Sequence, residues 1–297
     1  MDLGRLRALR ELSVRGTMIA VAETLYVSPS AVSQQISLLE KEAGIPLIER
    51  RGRRVVLTAA GQKLARRADK IFAEIEAAQA DIAAMKEVIT GELRVAAFPS
   101  VAAAILPRAI RSMQALHPHL LIRFAEMEPG ESLASLRSWQ TDIALIDDLN
   151  VPQGALETNI ERIPLMTDVF NVMVAPGHPL DGRSSVTLTE LKDELWVVDT
   201  ASGHYTAMLT EACQAVGFTP NITSRCNGFE VVIAMIRENC GISILPGLRA
   251  SHDLEDVWVA RLKPEIRRQI FVAFRKSERQ KPALQSFITQ IRAQAKA

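Results

Sequence analysis

Across residues 17–42, apolar positions recur at helical spacing in two short blocks. Met18, Val21, Ala22 and Leu25 stand at i, i+3, i+4 and i+7, a stripe that packs inward from a first helix. A tight Tyr26-Val27-Ser28 turn follows, and a second helix opens with Ser28 as N-cap and Pro29 at its first position, closing before Gly44. Its inward stripe is Val32, Ile36, Leu39 and Ala43, which leaves Ser30, Ser33, Gln34 and Ser37 facing out. Leu47-Ile48-Glu49 and Val55-Val56-Leu57 then read as two short strands framing a turn. From Thr58, an N-cap, the chain runs without proline to Thr90, with Leu64, Ala68, Ile71, Ile75, Ala78, Ile82, Met85 and Ile89 in alternating steps of four and three. That is a heptad seam, suited to pairing two helices; a single amphipathic helix lying on its own domain is the alternative.

Beyond Gly91 the period changes. Strands are expected over 93–98, 120–126 and 142–146, with a helix over 103–116 and a short helix before 142. A similar cycle recurs, with strands over 169–174, 195–199, 222–226 and 242–245, helices over 206–216 and 230–238, and a last strand (269–274) and helix (282–295). Such alternation predicts parallel sheets with helices on both faces, here as two α/β subdomains with a cleft between them.

Charge changes the picture of the first segment. Residues 1–67 carry 12 Lys and Arg against 6 Asp and Glu, whereas the remainder carries 23 against 28, so the net +1 hides a basic N-terminal module. Arg50, Arg51, Arg53 and Arg54 crowd around Gly52 in the turn between the short strands. Such cations repel one another and contribute little to folding, so a polyanion is their natural partner; a solvated charge cluster is the bland alternative. Ser30, Ser33, Gln34 and Ser37 are small or amide-bearing where a surface helix usually carries Lys and Glu. Short hydroxyls permit close approach, Gln pairs bidentately with adenine in a major groove, and the helix N-terminus favours a phosphate. This is helix-turn-helix chemistry, against the simpler reading of a helical hairpin with a Ser-rich face.

These residues carry a resemblance. Residues 16–58, GTMIAVAETLYVSPSAVSQQISLLEKEAGIPLIERRGRRVVLT, resemble the winged helix-turn-helix of LysR-type transcriptional regulators, with Ala-Val-Ser, Leu-Glu, Gly, Pro-Leu, Glu-Arg and Leu-Thr-x-x-Gly in the family's order. The resemblance continues more loosely to the C-terminus. It implies base or phosphate contacts at Ser33 and Gln34, a wing at Arg53, and a DNA surface that also takes in Ser28, Ser30, Ser37, Arg51 and Arg54. Gln34 stands where many members carry Arg, and Ile48 where many carry Phe; the first matters for base preference, since Arg favours guanine and Gln adenine. The implied organisation is a mostly-α winged helix-turn-helix domain over 1–58, a linker and dimerisation helix over 59–90, and an effector domain over 91–297. That effector domain would be periplasmic-binding-protein-like, two doubly wound subdomains, the first over 91–163 and 268–297, the second over 164–267. The family also implies double-stranded DNA as partner, a homodimer or tetramer, and RNA polymerase as a further candidate partner.

In such sheets ligands sit beyond the carboxyl ends of strands, beside helix N-termini. Two turns meet that description, Pro99-Ser100-Val101 and Thr200-Ala201-Ser202-Gly203-His204, and a small carboxylate or other polar metabolite would suit them. By resemblance Ser100, Thr200 and Ser202 fall near the family's effector positions. His204 is a candidate pH-sensitive donor, and Asn227, Gly228 and Phe229 open another helix that completes the pocket. Helix capping by hydroxyls, and a surface role for His204, are the competing readings.

Other chemistry is not signalled. Cys213, Cys226 and Cys240 form no disulfide framework and read as buried or inert thiols; His117 and His119 flank Pro118 without further ligands at metal spacing. There is no Walker loop, dinucleotide turn or Gly-x-Ser-x-Gly, so neither an enzyme nor a cofactor or metal is expected. No apolar run approaches a membrane span and the chain starts charged, giving a cytoplasmic expectation without membrane contact. The expected function is a ligand-responsive DNA-binding regulator. The alternatives are a regulator or architectural protein without a metabolite signal and, further off, a solute-binding protein.

Overall fold

The computed structural model describes residues 1–51, 54–84, 88–152, 154, 156, 159–200, 203–250, 254 and 256–296. The chain forms two compact units, Met1–Lys86 and Glu87–Ala297.

The first unit opens with α1 (Leu3–Arg15), which the periodicity analysis did not anticipate. Its signals are local: Asp2 accepts from Arg5 N at 3.1 Å as N-cap, Leu6, Leu9 and Leu12 form the inward stripe, and Gly16 ends it in the left-handed region. Next come α2 (Met18–Leu25) and α3 (Pro29–Ala43), capped by Thr17 and Ser28. Val21, Ala22, Val32 and Ile36 bury against Ala8 and Leu12 of α1, the stripes read from the sequence meeting across three helices. A two-stranded antiparallel hairpin, β1 (Ile48–Arg51) and β2 (Arg54–Leu57), follows. Glu40 fixes its entry by accepting from Leu47 N at 2.8 Å and Ile48 N at 3.1 Å, a physical reason for the Leu-Glu pair.

The long helix α4 (Ala59–Ala84) begins at Thr58, whose Oγ1 accepts from Gly61 N at 3.0 Å and donates to Pro46 O at 2.9 Å. A Cβ at position 61 would lie 2.0 Å from the Leu47 carbonyl oxygen, so only glycine lets helix and hairpin approach. Leu64, Ala68 and Phe72 pack with Leu6, Leu9, Leu39 and Leu47. Farther along, the seam faces out: Ile71 is 38% and Ile82 62% exposed in the single chain. Met85 lies outside the described residues.

The second unit is built on β3 (Gly91–Ala97), β4 (Leu120–Glu126), β5 (Ile143–Asp147), β6 (Ile160–Val174), β7 (Ser185–Thr187), β8 (Leu195–Asp199), β9 (Asn221–Cys226), β10 (Ser243–Pro246), β11 (Trp258–Lys263) and β12 (Arg267–Arg275). The main sheet has the order β4-β3-β5-β12-β6-β11-β7, with β10 also on β6, and β8 and β9 pair separately. Helices α5 (Pro99–Ala104), α6 (Leu106–Leu116) and α11 (Pro282–Ala295) cover one face of the first half, and α7 (Pro129–Arg137) the other. In the second half α8 (Gly203–Ala215) and α9 (Phe229–Arg237) pack on separate apolar clusters, with α10 (Gly247–Ala250) after β10.

Three differences from the periodicity reading have physical causes. The helix expected over 103–116 is broken at Ile105, because Pro107 lacks the N–H that would continue α5. The sheet is mixed rather than parallel throughout: β3 runs parallel to β4 and β5, but β12 is antiparallel to β5 and β6. Strand β6 is also far longer than the expected 169–174. Pro164 masked its first half, and it is accommodated at a register shift opposite Ile270 and Phe271. Residues 160–169 of β6 pair with β12 and residues 170–174 with β10 and β11, so one continuous strand serves both halves.

Candidate nucleic-acid interface and ligand cleft

On the first unit, Ser28, Ser30, Ser33, Gln34 and Ser37 are all exposed along one side of α3. Ser28 caps the helix by accepting from Ala31 N at 3.2 Å, and its Oγ lies 2.8 Å from that of Ser30. Tyr26, in the left-handed region between α2 and α3, is 95% exposed and adds an aromatic hydroxyl to this surface. Arg51 projects from the hairpin end paired with Glu49 at 2.8 Å, both side chains largely solvated, so the pair is a weak restraint. Arg53 lies outside the described residues, as does the side chain of Arg54. The missed α1 anchors the assembly from behind: buried Arg10 donates to Asp69 of α4 at 2.8 Å and to Glu11 at 2.7 Å.

In the second unit a cavity, partly open to solvent, lies where the two halves meet. Its centre is Arg268 on β12. This side chain donates to Asp168 Oδ2 at 2.7 and 3.0 Å, to Asp147 Oδ2 at 3.3 Å and to Ser100 Oγ at 2.7 Å, and it stands 4.9 Å from the Phe98 ring centroid. Strands β5, β6 and β12 and the first turn of α5 are thus joined through one guanidinium. Asp168 reaches further, accepting from Leu248 N at 3.1 Å. There Gly247 permits close approach: a Cβ would meet the Val169 carbonyl oxygen at 2.8 Å.

Across the cavity, Phe170 stacks on Tyr205 with centroids 5.9 Å apart, and the Tyr205 hydroxyl donates to the Ile244 carbonyl. Burial holds that phenol well above its ordinary pKa, so it stays a neutral donor. Phe229 opens α9 with Arg249 over its ring at 4.7 Å. Burial pulls the Arg249 pKa down, while Glu230, Glu126 and Asp199 oppose that shift. Glu128, at the start of α7, has its pKa raised by burial first and then by the charges of Asp199, Asp147 and Glu131, with Arg268 opposing.

Of the ligand residues expected from sequence, Ser100 and Phe229 line this cavity. Val101 is buried in the apolar cluster behind it. Thr200 donates to the Cys226 carbonyl at 2.9 Å and lies in a separate shallow depression with Thr206, Thr210 and Arg225. His204 and Asn227 are exposed and do not border the cavity, and Ser202 lies outside the described residues. Sequence reasoning missed Arg268, Asp147, Asp168, Glu128, Asp199 and Arg249, which no common motif joins. The one available signal was Asp147 and Asp199 at the carboxyl ends of two strands. Among the described residues, no three His, Cys, Asp or Glu side chains converge to hold a metal ion, and no helix is long and apolar enough to cross a membrane.

Comparison with known proteins bears on both regions. The family model described as "Bacterial regulatory helix-turn-helix protein, lysR family" matches residues 3–62, and that of the "LysR substrate binding domain" matches residues 86–296. A probable hydrogen peroxide-inducible genes activator of Mycobacterium leprae is 30% identical over 81% of this chain and 76% of its own length. A RuBisCO operon transcriptional regulator of Allochromatium vinosum is 28% identical over 97% of this chain and 94% of its own. In fold, full-length OxyR from Pseudomonas aeruginosa superposes with a TM-score of 0.74 at 23% identity, covering 98% of this chain and 95% of that one. With helix-turn-helix and substrate-binding segments both matched in order, the chain belongs to the LysR family: it is a ligand-responsive, DNA-binding regulator of transcription.

Proposed function

We propose that α3 and the hairpin form the DNA interface and that the cavity around Arg268 receives a small-molecule effector. In this reading Gln34 and Ser33 meet base edges, Ser28, Ser30 and Ser37 approach phosphates, and Arg51, Arg53 and Arg54 grip the backbone beside them. The exposed heptad residues Ile71, Ala78 and Ile82, with the half-buried Ile75 between them, support pairing of α4 with that of a second copy, which would set two recognition helices at a fixed spacing. A tetramer, contact with RNA polymerase and a cytoplasmic location are carried from the family. The cleft works by binding and performs no chemistry on its ligand.

The observation that carries the effector reading is Arg268, held between β5, β6 and α5 and tied through Asp168 to β6, the strand that serves both halves of the unit. A ligand that touches this centre acts on the connection between the halves. Differential affinity for two arrangements of those halves, typically worth about 1 to 3 kcal/mol, is sufficient for regulation.

The relatives' names do not select the signal, since proteins of similar identity are named for hydrogen peroxide and for a RuBisCO operon. Peroxide chemistry is not favoured by the two buried thiols. Burial pushes Cys213 up to about 11 and also raises Cys226, with Asp199 adding to the latter, whereas a peroxide-reactive thiol needs its thiolate at neutral pH. The test is to map bound genomic DNA, then compare footprints with and without metabolites of the neighbouring pathway. A footprint that changes length supports effector control; one indifferent to a broad panel favours a regulator without a metabolite signal.

A further inference from the structure

Granting that the cavity is the effector site, its lining constrains the charge of the occupant. Arg268 is the group a carboxylate would seek, yet it is already matched by Asp168 at 2.7 Å and Asp147 at 3.3 Å, both carboxylates buried. A carboxylate ligand binding there would compete with these partners, and a carboxylate left buried without its cation is strongly destabilising. Arg249, the second cation, lies in the field of Asp199, Glu126 and Glu230. The lining therefore sets three carboxylates, Glu128, Asp147 and Asp199, against two guanidiniums, with Asp168 behind as a fourth.

Glu128 is where this surplus is least compensated. Among the described residues its carboxylate has no hydrogen-bond or ion-pair partner, although it is half-buried and borders the cavity. The groups acting on it come from every side: Asp147 from β5, Asp199 from β8, Glu131 from its own helix and Arg268 from β12, three repelling for one attracting. The walls are apolar and aromatic, with Phe98, Phe170, Phe229, Leu149 and Leu245. Arg268 already lies over Phe98 and Phe170 and Arg249 over Phe229, so these walls serve to bury a ligand's hydrocarbon body.

We propose that the effector is a small organic cation, an ammonium-bearing compound with an aromatic or aliphatic body, whose charge sits against Glu128 on the Asp199 side of the cleft. The ammonium relieves carboxylate repulsion while its body fills the aromatic walls. The carboxylate suggested by Ser100 and the helix N-termini is disfavoured because the guanidinium that donates to Ser100 Oγ is already paired with Asp147 and Asp168.

The experiment uses the full-length chain and paired probes that share one body, such as 2-phenylethylamine with 3-phenylpropionate and hexylamine with hexanoate, plus neutral 2-phenylethanol. Calorimetric titration and thermal melting are the readouts. Amines are expected to bind at least about tenfold tighter than their anionic partners, and Glu128→Gln to lose about tenfold for amines without lowering the melting temperature of the unliganded protein. Binding confined to anions or neutral compounds, or amine binding indifferent to Glu128→Gln, overturns the cation assignment while leaving the cleft as effector site. Silence from these probes and from a broad metabolite screen overturns the effector reading itself, and this proposal with it.

Discussion

The two regions proposed to meet partners in this protein are built in opposite ways. The α3 surface lies within ten consecutive residues, 28–37, is exposed and sits in a basic segment. The cleft draws on residues from Phe98 to Arg268, buries or half-buries its charges and carries more carboxylates than cations. The difference follows from the partners. A polyanion releases counterions and is read by many exposed contacts, each modest, so a local solvated surface suffices. A small molecule offers few atoms, so its site must exclude water and converge pre-ordered groups from several elements.

The largest effect that tests this contrast is on the DNA side. With roughly six to ten phosphate contacts, operator affinity is expected to fall about 10³- to 10⁵-fold between about 50 and 200 mM salt. Electrophoretic or anisotropy titrations check this, and a salt-insensitive complex would remove the polyanion argument for α3 and the hairpin. Effector binding, made behind a desolvated wall, should depend far less on salt.

On the cleft side, Arg268→Met is expected to destabilise the second unit by about 3 to 5 kcal/mol, because Asp147 and Asp168 lose the cation between them. Denaturant unfolding measures it. Recovery of most of that loss in the Arg268→Met, Asp168→Asn double variant separates an orphaned charge from lost packing.

Gln34→Ala should change discrimination at one base position by about 1 to 3 kcal/mol, whereas Arg51→Ala should weaken all sequences alike and reduce the salt slope by about one. Uniform loss from both would erase the division between readout and positioning. The smallest expected effect is at Glu128. Its raised pKa means the folded chain favours the neutral carboxyl, a contribution fully present below the ordinary carboxylate value of about 4.3 and lost as pH rises through the folded value. Glu128→Gln should therefore melt slightly above the parent at neutral pH and match it in acid, as thermal melts across pH would reveal.

Legibility in the sequence followed the same division. The stripes of α2 and α3, the Ser28 cap and the outward Ser33 and Gln34 could be read because helical periodicity and capping are local. Helix α1 carries the same kind of local signal, through Asp2 and the leucine triplet. Strands at 120–126 and 195–199 and the last helix coincide with their expected limits. The first half of β6 was hidden by Pro164, whose place in a strand depends on a register shift against β12. In the cleft, Ser100 and Phe229 were found from their position after a strand or before a helix, but Arg268 looked like one of many strand arginines.

The amino-acid order by itself determined the DNA-reading unit and the alternation of strands and helices, since each depends on contacts within a few residues. Which carboxylates surround Arg268, and hence the charge the cleft presents, was decided only when β5, β6 and β12 came together from positions up to 121 residues apart. Electrostatics in a cavity depends on distance and burial, and neither is a property of the order in which residues are joined.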